Sequence, residues 1–580
     1  MPRSSVRSVR VLTGFMALFT MGLACPAFAE ADKSARDARV MANTLSGNYL
    51  AALVAGLSSD TSAAAQFYSE SLKFDPHSAD LAERAFVTML AEGNMTEALR
   101  LSQTVSRKNP GNGIVQLILA VNAIRDGQFN TAKSALKRNG SKQNTDLTAS
   151  LLTAWSWVGA GNPKKAIETI EKMPDDPATR PFRNLHAGLI AKVSGNTDEA
   201  LILIKSAYEN DRNGILTADI YARSLYALGK KDEAKAVYLD IAKVLPRHPI
   251  VRDALDRLDA GKPLEDRIKN EKNGAAEVLF GLGSAVTRDG DELSSLIYLR
   301  LATWLQPDHA SALVAIAETY ERMKQLDSAV AAYEKVPSDS PLRISADIQR
   351  ALDLEQLGRS DEAIALLKQT NAKLTDHTEP LIALGNIYRS KKAFAEAAEA
   401  YSGALKAIGT PNQSHWSLYY SRGIAYERLK RWPEAEADFR KALELSPEQP
   451  LVLNYLGYSW IEQGSNLDEA FRMLRRAVEQ RPADGYIVDS LGWAYYRLGQ
   501  YDNALQLMEK AVQLKAADPT VNDHLGDVYW RLGRKLEAKF QWNHARDLGA
   551  EPEDMPKILD KIANGLPDEP VATGGASTGG

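Results

Sequence analysis

Small and apolar positions recur along this chain with a period of 34, most clearly over 485–551. Gly492 and Gly526 lie one period apart, as do Tyr495 and Tyr529, Gly499 and Gly533, Ala504 and Ala538, and Ala511 and Ala545. A fixed period in this range predicts a helix–turn–helix unit copied along the chain. The spacing has a physical reason. The small anchor and its small partner, as in Gly492 and Ala504, mark where two antiparallel helices must approach closely. A large side chain there would force them apart, so Gly492→Leu or Ala504→Leu is expected to cost about 1–3 kcal/mol. Tyr495 and Met508 fill the remaining space, and Ala511 leaves room for the next unit. One unit cannot bury its apolar face alone, so stability accrues from neighbours.

Stepping back from Gly526 finds anchors at Gly492, Gly457, Gly423, Gly385, Ala351, Ala317 and Gly283, which predicts eight units. Their partners are Ser295, Ala329, Ala363, Ala397, Ala435, Ala470, Ala504 and Ala538; Ala470 falls one place late because Gly464, Ser465 and Asn466 lengthen the inner turn. Earlier in the chain Ala222, Gly188, Ala154, Ala120, Phe86 and Ala52 give six more, with partners from Ala234 back to Ala64. Pro76, Pro110, Pro246, Pro307, Pro341 and Pro447 each follow their anchors at one fixed offset, where the second helix should stop. The pattern, with Leu491, Gly492, Tyr495, Ala504, Ala511 and Pro519, resembles the tetratricopeptide repeat (TPR). That resemblance implies an all-α, right-handed TPR α-solenoid of about 14 units.

The expected organisation is an N-terminal array over 30–246, a linker or half-repeat over 247–274, a C-terminal array over 275–552, a capping helix over 553–566 and a polar tail over 567–580. The step from Ala222 to Gly283 is far longer than one period and short of two, with a charged stretch after Gly261, Lys262 and Pro263. Two readings stay open for it: a linker between modules, or one degenerate repeat inside a continuous superhelix. The stretch 555–564 reads as an amphipathic helix ended by Gly565.

The leader, 1–29, changes the picture of where the chain works. Arg3, Arg7 and Arg10 precede an apolar run, Val11–Leu23, too short to span a bilayer. Ala27, Phe28 and Ala29 form a small-residue cleavage site, so the reading is a signal peptide cut after Ala29 and a periplasmic chain. Cys25, the sole cysteine, has Gly22 where a lipoprotein signal wants leucine, so lipidation is not expected. Loss of the three arginines takes the net charge from −4 to −7. No later stretch is long and apolar enough to span a bilayer, and no basic run marks a nucleic-acid partner.

Candidate chemistry is sparse. The eight histidines show no HExxH spacing, there is no P-loop or serine elbow, and the glycines at 281 and 283 lack the third glycine and the preceding strand of a dinucleotide loop. No metal, cofactor or catalytic residue is predicted, and the repeats leave no room for a catalytic domain. In a TPR array the residues three before, and one, four and five after, each anchor line the concave groove. Here they include Tyr420, Arg428, Asn454, Tyr458, Asp489, Trp493, Tyr496, Arg497, Asp523, Asp527, Trp530 and Arg531. Trp, Tyr and Arg are the types that anchor partners in hot spots. Against this, the aromatics could pack between adjacent helices, and Arg497 and Arg531 could pair with Asp489 and Asp523 of their own repeats. Tyr495, Tyr529 and Trp460 sit at core positions. Asn386 and Asn454 lack the lysine set of a carboxylate clamp.

Residues 275–566 also resemble exported bacterial TPR proteins, through AAEVLFGLGSAV, LVLNYLGYSWIEQGSNLDEA, DGYIVDSLGWAYYRLGQYDNA and VNDHLGDVYWRLGRKLEAKFQW. That resemblance implies an envelope adaptor that binds a C-terminal processing protease and presents substrates to it. The expectation is thus a non-catalytic scaffold taking a protein or peptide in its groove. The alternative is an envelope assembly protein associated with cell wall or outer membrane.

Overall fold

A computed structural model describes residues 44–567 apart from 139–145, 175, 178, 289 and 373–376. The leader, Cys25 and the tail from 568 onward lie outside the described residues. Among those described, 30 α-helices pair into about 15 helix–turn–helix units, an all-α TPR solenoid. The fourteen anchored repeats supply 28 of these helices; Pro249–Asp259 and Met555–Asn564 are the other two.

The small-residue pattern does what its spacing requires. A Cβ on Gly457 would stand 3.0 Å from the Ala470 carbonyl, and one on Gly188 3.1 Å from that of Ala200. The partner positions from Ala64 to Ala538 are all buried. Seven residues after every anchor the backbone turns left-handed. Ten of these positions are glycine, such as Gly499 and Gly533, and four are not: Ser59, Lys324, Lys392 and Lys430. Second helices end at Phe74, Lys108, Val244, Leu305 and Leu445, two residues before the expected prolines. The exception is Leu326–Glu334, which stops short of Pro341 because Pro337 comes first and restricts the residue before it.

By its internal contacts the chain forms two compact units, 1–353 and 354–580. In the first, one continuous core runs from Ala52 to Ala346. Its continuity has a specific source. Helix Glu271–Arg288 packs on the first helices of two earlier repeats, Leu147–Gly159 and Arg180–Val193. Helix Glu292–Leu305 packs on two others, Ala79–Glu92 and Gly113–Arg125. The chain therefore fills the concave side of its own N-terminal array.

Individual groove positions of that array hold the filling. Trp155 presses against Gly274 and Phe182 against Gly281, each leaving no room for a Cβ. Trp155 also donates from Nε1 to His186 Nδ1 at 3.2 Å; burial lowers that imidazole to about 4, so it accepts as a neutral ring. Arg300 donates to the Ala91 carbonyl at 3.1 Å, and the Arg125 guanidinium lies 3.7 Å over the Trp304 ring. Residues 264–270 complete the filling. Buried Asp219 accepts from Arg223, Tyr238 and Arg267, Arg223 also donates to the Glu265 carbonyl at 2.7 Å, and Lys192 pairs with Asp266. Burial opposes the charge on Asp219, but Arg267 and Arg223 outweigh it and hold the carboxyl below its ordinary range.

Candidate partner-binding groove

In the second unit the groove positions are polar and aromatic. One column follows the period through Tyr458, Trp493, Asp527 and Lys561. Trp493, half-buried on Gly485–Arg497, is its centre. Its ring stacks on Tyr496 with centroids 4.7 Å apart and on His524 at 4.0 Å. Its Nε1 donates to Glu462 Oε1 at 2.6 Å, and Arg497 reaches the same oxygen at 2.8 Å. Trp493 is thus stacked against two rings and hydrogen-bonded at its edge, half-buried beside a charged border.

Beneath it lies a line of buried charge. Asp489 accepts from His524 Nδ1 at 3.0 Å. Burial would lower the imidazole, but Asp489, with Asp523 and Asp527 nearby, holds it above the ordinary histidine value. Asp523 and Asp527 share the Lys561 ammonium, at 2.8 Å each. Asp527 also accepts from Trp542 Nε1 at 2.9 Å. Burial and the neighbouring Asp523 raise the Asp527 carboxyl despite the lysine.

The remaining predicted residues divide. Trp530 lies against Trp542 at 5.3 Å, and Arg531 donates to the Pro567 carbonyl at 2.8 Å. Tyr420 turns into a cluster with Phe439 and Tyr455, where burial pushes its hydroxyl up to about 12, and Tyr458 is raised by burial in the same way. Asn454 is half-buried with its Oδ1 unpartnered, and Arg428 is exposed beside Glu427 at 3.6 Å. Trp460 is fully buried, as its core position required.

The two arginines reach beyond their own repeats: Arg497 pairs with Glu462 of the preceding repeat, and Arg531 donates to the Pro567 carbonyl. Eight residues along a helix is about 12 Å, which sets Asp489 and Asp523 well away along their helices. Glu462 stands five after Gly457, at a groove position the spacing gives, whereas sequence reasoning missed His524 and Lys561. Lys561 was findable, since it lies one period after Asp527 and so continues the groove column into the cap.

Tetratricopeptide-repeat models match residues 310–336, 348–414 and 416–449, and a TPR repeat model matches 492–533. With the paired helices and anchor geometry above, these matches define the chain as a TPR repeat protein. It is 27% identical over 162 residues to the TPR repeat-containing protein PA4667 of Pseudomonas aeruginosa, covering 27% of this chain and 26% of that one. It is 26% identical over 243 residues to the human protein O-mannosyl-transferase TMTC3, covering 39% and 26%. The chain thus spans about a quarter of the length of these relatives. Among solved structures, a TPR protein from Parabacteroides merdae aligns with TM-score 0.37 and 22% identity over 43% of this chain and 98% of its own. The Cut9–Hcn1 complex aligns with TM-score 0.36 and 14% identity over 83% and 96%. A TPR array implies protein partners, is typically non-catalytic, and here shows no described helix long and apolar enough to cross a membrane.

Proposed function

We propose that this protein is a non-catalytic scaffold that captures a protein or extended peptide in the groove of its last four repeats. The observation that carries the reading is Trp493, presented at a groove position and fixed by Tyr496, His524 and Glu462. A rigid aromatic with satisfied polar edges loses little entropy on binding, which is what a hot spot needs. The finer part of the reading is that the chain works outside the cytoplasm and presents what it captures to an envelope protease. It is supported by the leader and by the likeness of residues 275–566 to exported adaptors.

The test is crosslinking capture from envelope extract with the wild-type chain and with Trp493→Ala combined with Trp530→Ala. The double variant is expected to keep its helical circular dichroism and lose the crosslinked partner; unchanged capture sinks the groove reading. The N-terminal sequence of the chain recovered from cells checks the export reading, which expects Glu30 as first residue.

A further inference from the structure

The last described segment, 551–567, lies on the groove positions of the final repeat. Lys561 sits between Asp523 and Asp527 at 2.8 Å from each. Gly565 approaches the Trp530 ring so closely that a Cβ would overlap it, and Arg531 holds the Pro567 carbonyl. At the near end Glu551 pairs with Lys392 at 3.0 Å, both largely exposed. Ile558 and Ile562 enter the apolar cluster that contains Trp530.

This docking is shallow. Helix Met555–Asn564 has 10 residues, and Ile558 is its one buried side chain. Pro519–Arg531 beneath it buries residues from Val521 to Tyr529. A helix that short is marginal in water on its own, so it persists through its packing on Lys535–Asp547 and through Lys561, Ile558, Ile562, Gly565 and Leu566.

We propose that residues 551–567 are a displaceable ligand held in cis, and that Asp523, Asp527, Trp530 and Arg531 receive in their place a partner's short amphipathic helix. The occupant sets the chemistry of that partner. Two carboxylates converging on one point call for a compact ammonium, which lysine supplies and the planar fork of arginine does not. An aliphatic pair spaced i, i+4 reproduces Ile558 and Ile562, and a glycine one turn beyond the lysine passes under Trp530. A helix without the cation would leave Asp523 and Asp527 buried and unpaired, a heavy cost. Held in cis, the segment has an effective concentration on the order of millimolar, so it keeps weak ligands out and yields to strong or locally concentrated ones. The proposal rests on the reading of this groove as the capture surface.

The experiment uses the full-length chain and a fluorescent peptide with the sequence of residues 553–567. Lys561→Glu sets a third carboxylate beside Asp523 and Asp527 and drives the segment off. The peptide is expected to bind this variant at least about tenfold more tightly than the wild type, and adding Asp523→Asn with Asp527→Asn should remove the gain. Equal binding to all three chains, with helicity retained, overturns the proposal. Should Lys561→Glu lose helicity, hydrogen exchange of the wild-type chain decides. Amides of 555–564 exchanging as one block, about 100-fold faster than those of 521–529, support release; equal protection refutes it. Loss of capture in the Trp493 and Trp530 double variant, together with failed peptide binding here, would leave the groove reading standing and this one refuted.

Discussion

The Trp493 indole stacks on the His524 imidazole at 4.0 Å while Asp489 grips the same ring at Nδ1. The pair lies between adjacent repeats, so the central aromatic of the groove column is positioned by a titratable group one repeat away. Because the folded imidazole is held above its ordinary value, its contribution is complete below about pH 6.5 and is lost as pH rises through the folded value. Asp489→Asn removes the main counter-charge and leaves a buried ring with only Asp523 and Asp527 to oppose burial. Its titration, followed by NMR, is expected to move down. The variant should cost about 3 kcal/mol at pH 6 and less at pH 9. An unmoved midpoint would show that Asp489 does not control the ring.

Asp353 shifts in the same direction for a different reason. Burial, then the charge of Glu321, push its carboxyl up to about 7. Glu321 is itself raised by burial although Tyr333 donates to it at 2.8 Å. The fold favours the protonated acid, so this contribution is whole below about pH 4 and drains away as pH rises through about 7. Asp353→Asn keeps the shape without the charge. It is expected to gain about 1–3 kcal/mol at pH 8 and nothing at pH 4, read as melting temperatures at the two pH values. A loss at pH 8 would contradict the assignment.

Lys430 occupies a left-handed turn, φ +60°, where ten sister repeats use glycine. A side chain in that conformation costs roughly 1 kcal/mol. Lys430→Gly should therefore raise stability by about 0.5–1 kcal/mol in urea unfolding, despite the entropy glycine adds to the unfolded chain. No gain would mean that the unfolded-state cost cancels the relief.

Arg267 is a sharper probe of the filled N-terminal groove. Arg267→Ala leaves Asp219, 2% exposed, with Arg223 and Tyr238 only. The expected loss is about 2 kcal/mol, below the 3–5 kcal/mol of breaking a buried pair outright. Limited proteolysis near Gly261 should quicken. If neither stability nor cleavage changes, residues 264–270 are not fastening the filling in place.

The array was legible because the anchor and partner positions are local and tolerate few residue types: Gly457 must stay small beneath Ala470 whatever else the repeat carries. Groove contents were harder to read. Trp493 could be placed on the concave side, but its stacking on His524 depends on the rotation between repeats, which no single period encodes. The filled groove does leave a trace in the sequence. Leu117, Val121, Ile124, Leu151, Leu185 and Leu189 hold groove positions and are apolar, whereas the matching positions from Tyr420 onward are mostly charged, polar or aromatic. A concave face that apolar must be covered. Which segment covers it is a long-range pairing, and the glycines at 274 and 281 gain meaning only once Trp155 and Phe182 are seen against them.

Helices Glu271–Arg288 and Glu292–Leu305 lie near the middle of the chain, and the trough they fill is complete well before them. During synthesis the apolar lining from Leu117 to Leu189 leaves the ribosome well before its cover. At typical elongation speeds the wait is on the order of ten seconds. Through that interval the nascent chain carries a wet, adhesive concavity that only its own later sequence can close. Residues 264–305 are the closing step of the first unit's folding, and a nascent chain stalled or cleaved before them is the form most exposed to misassembly.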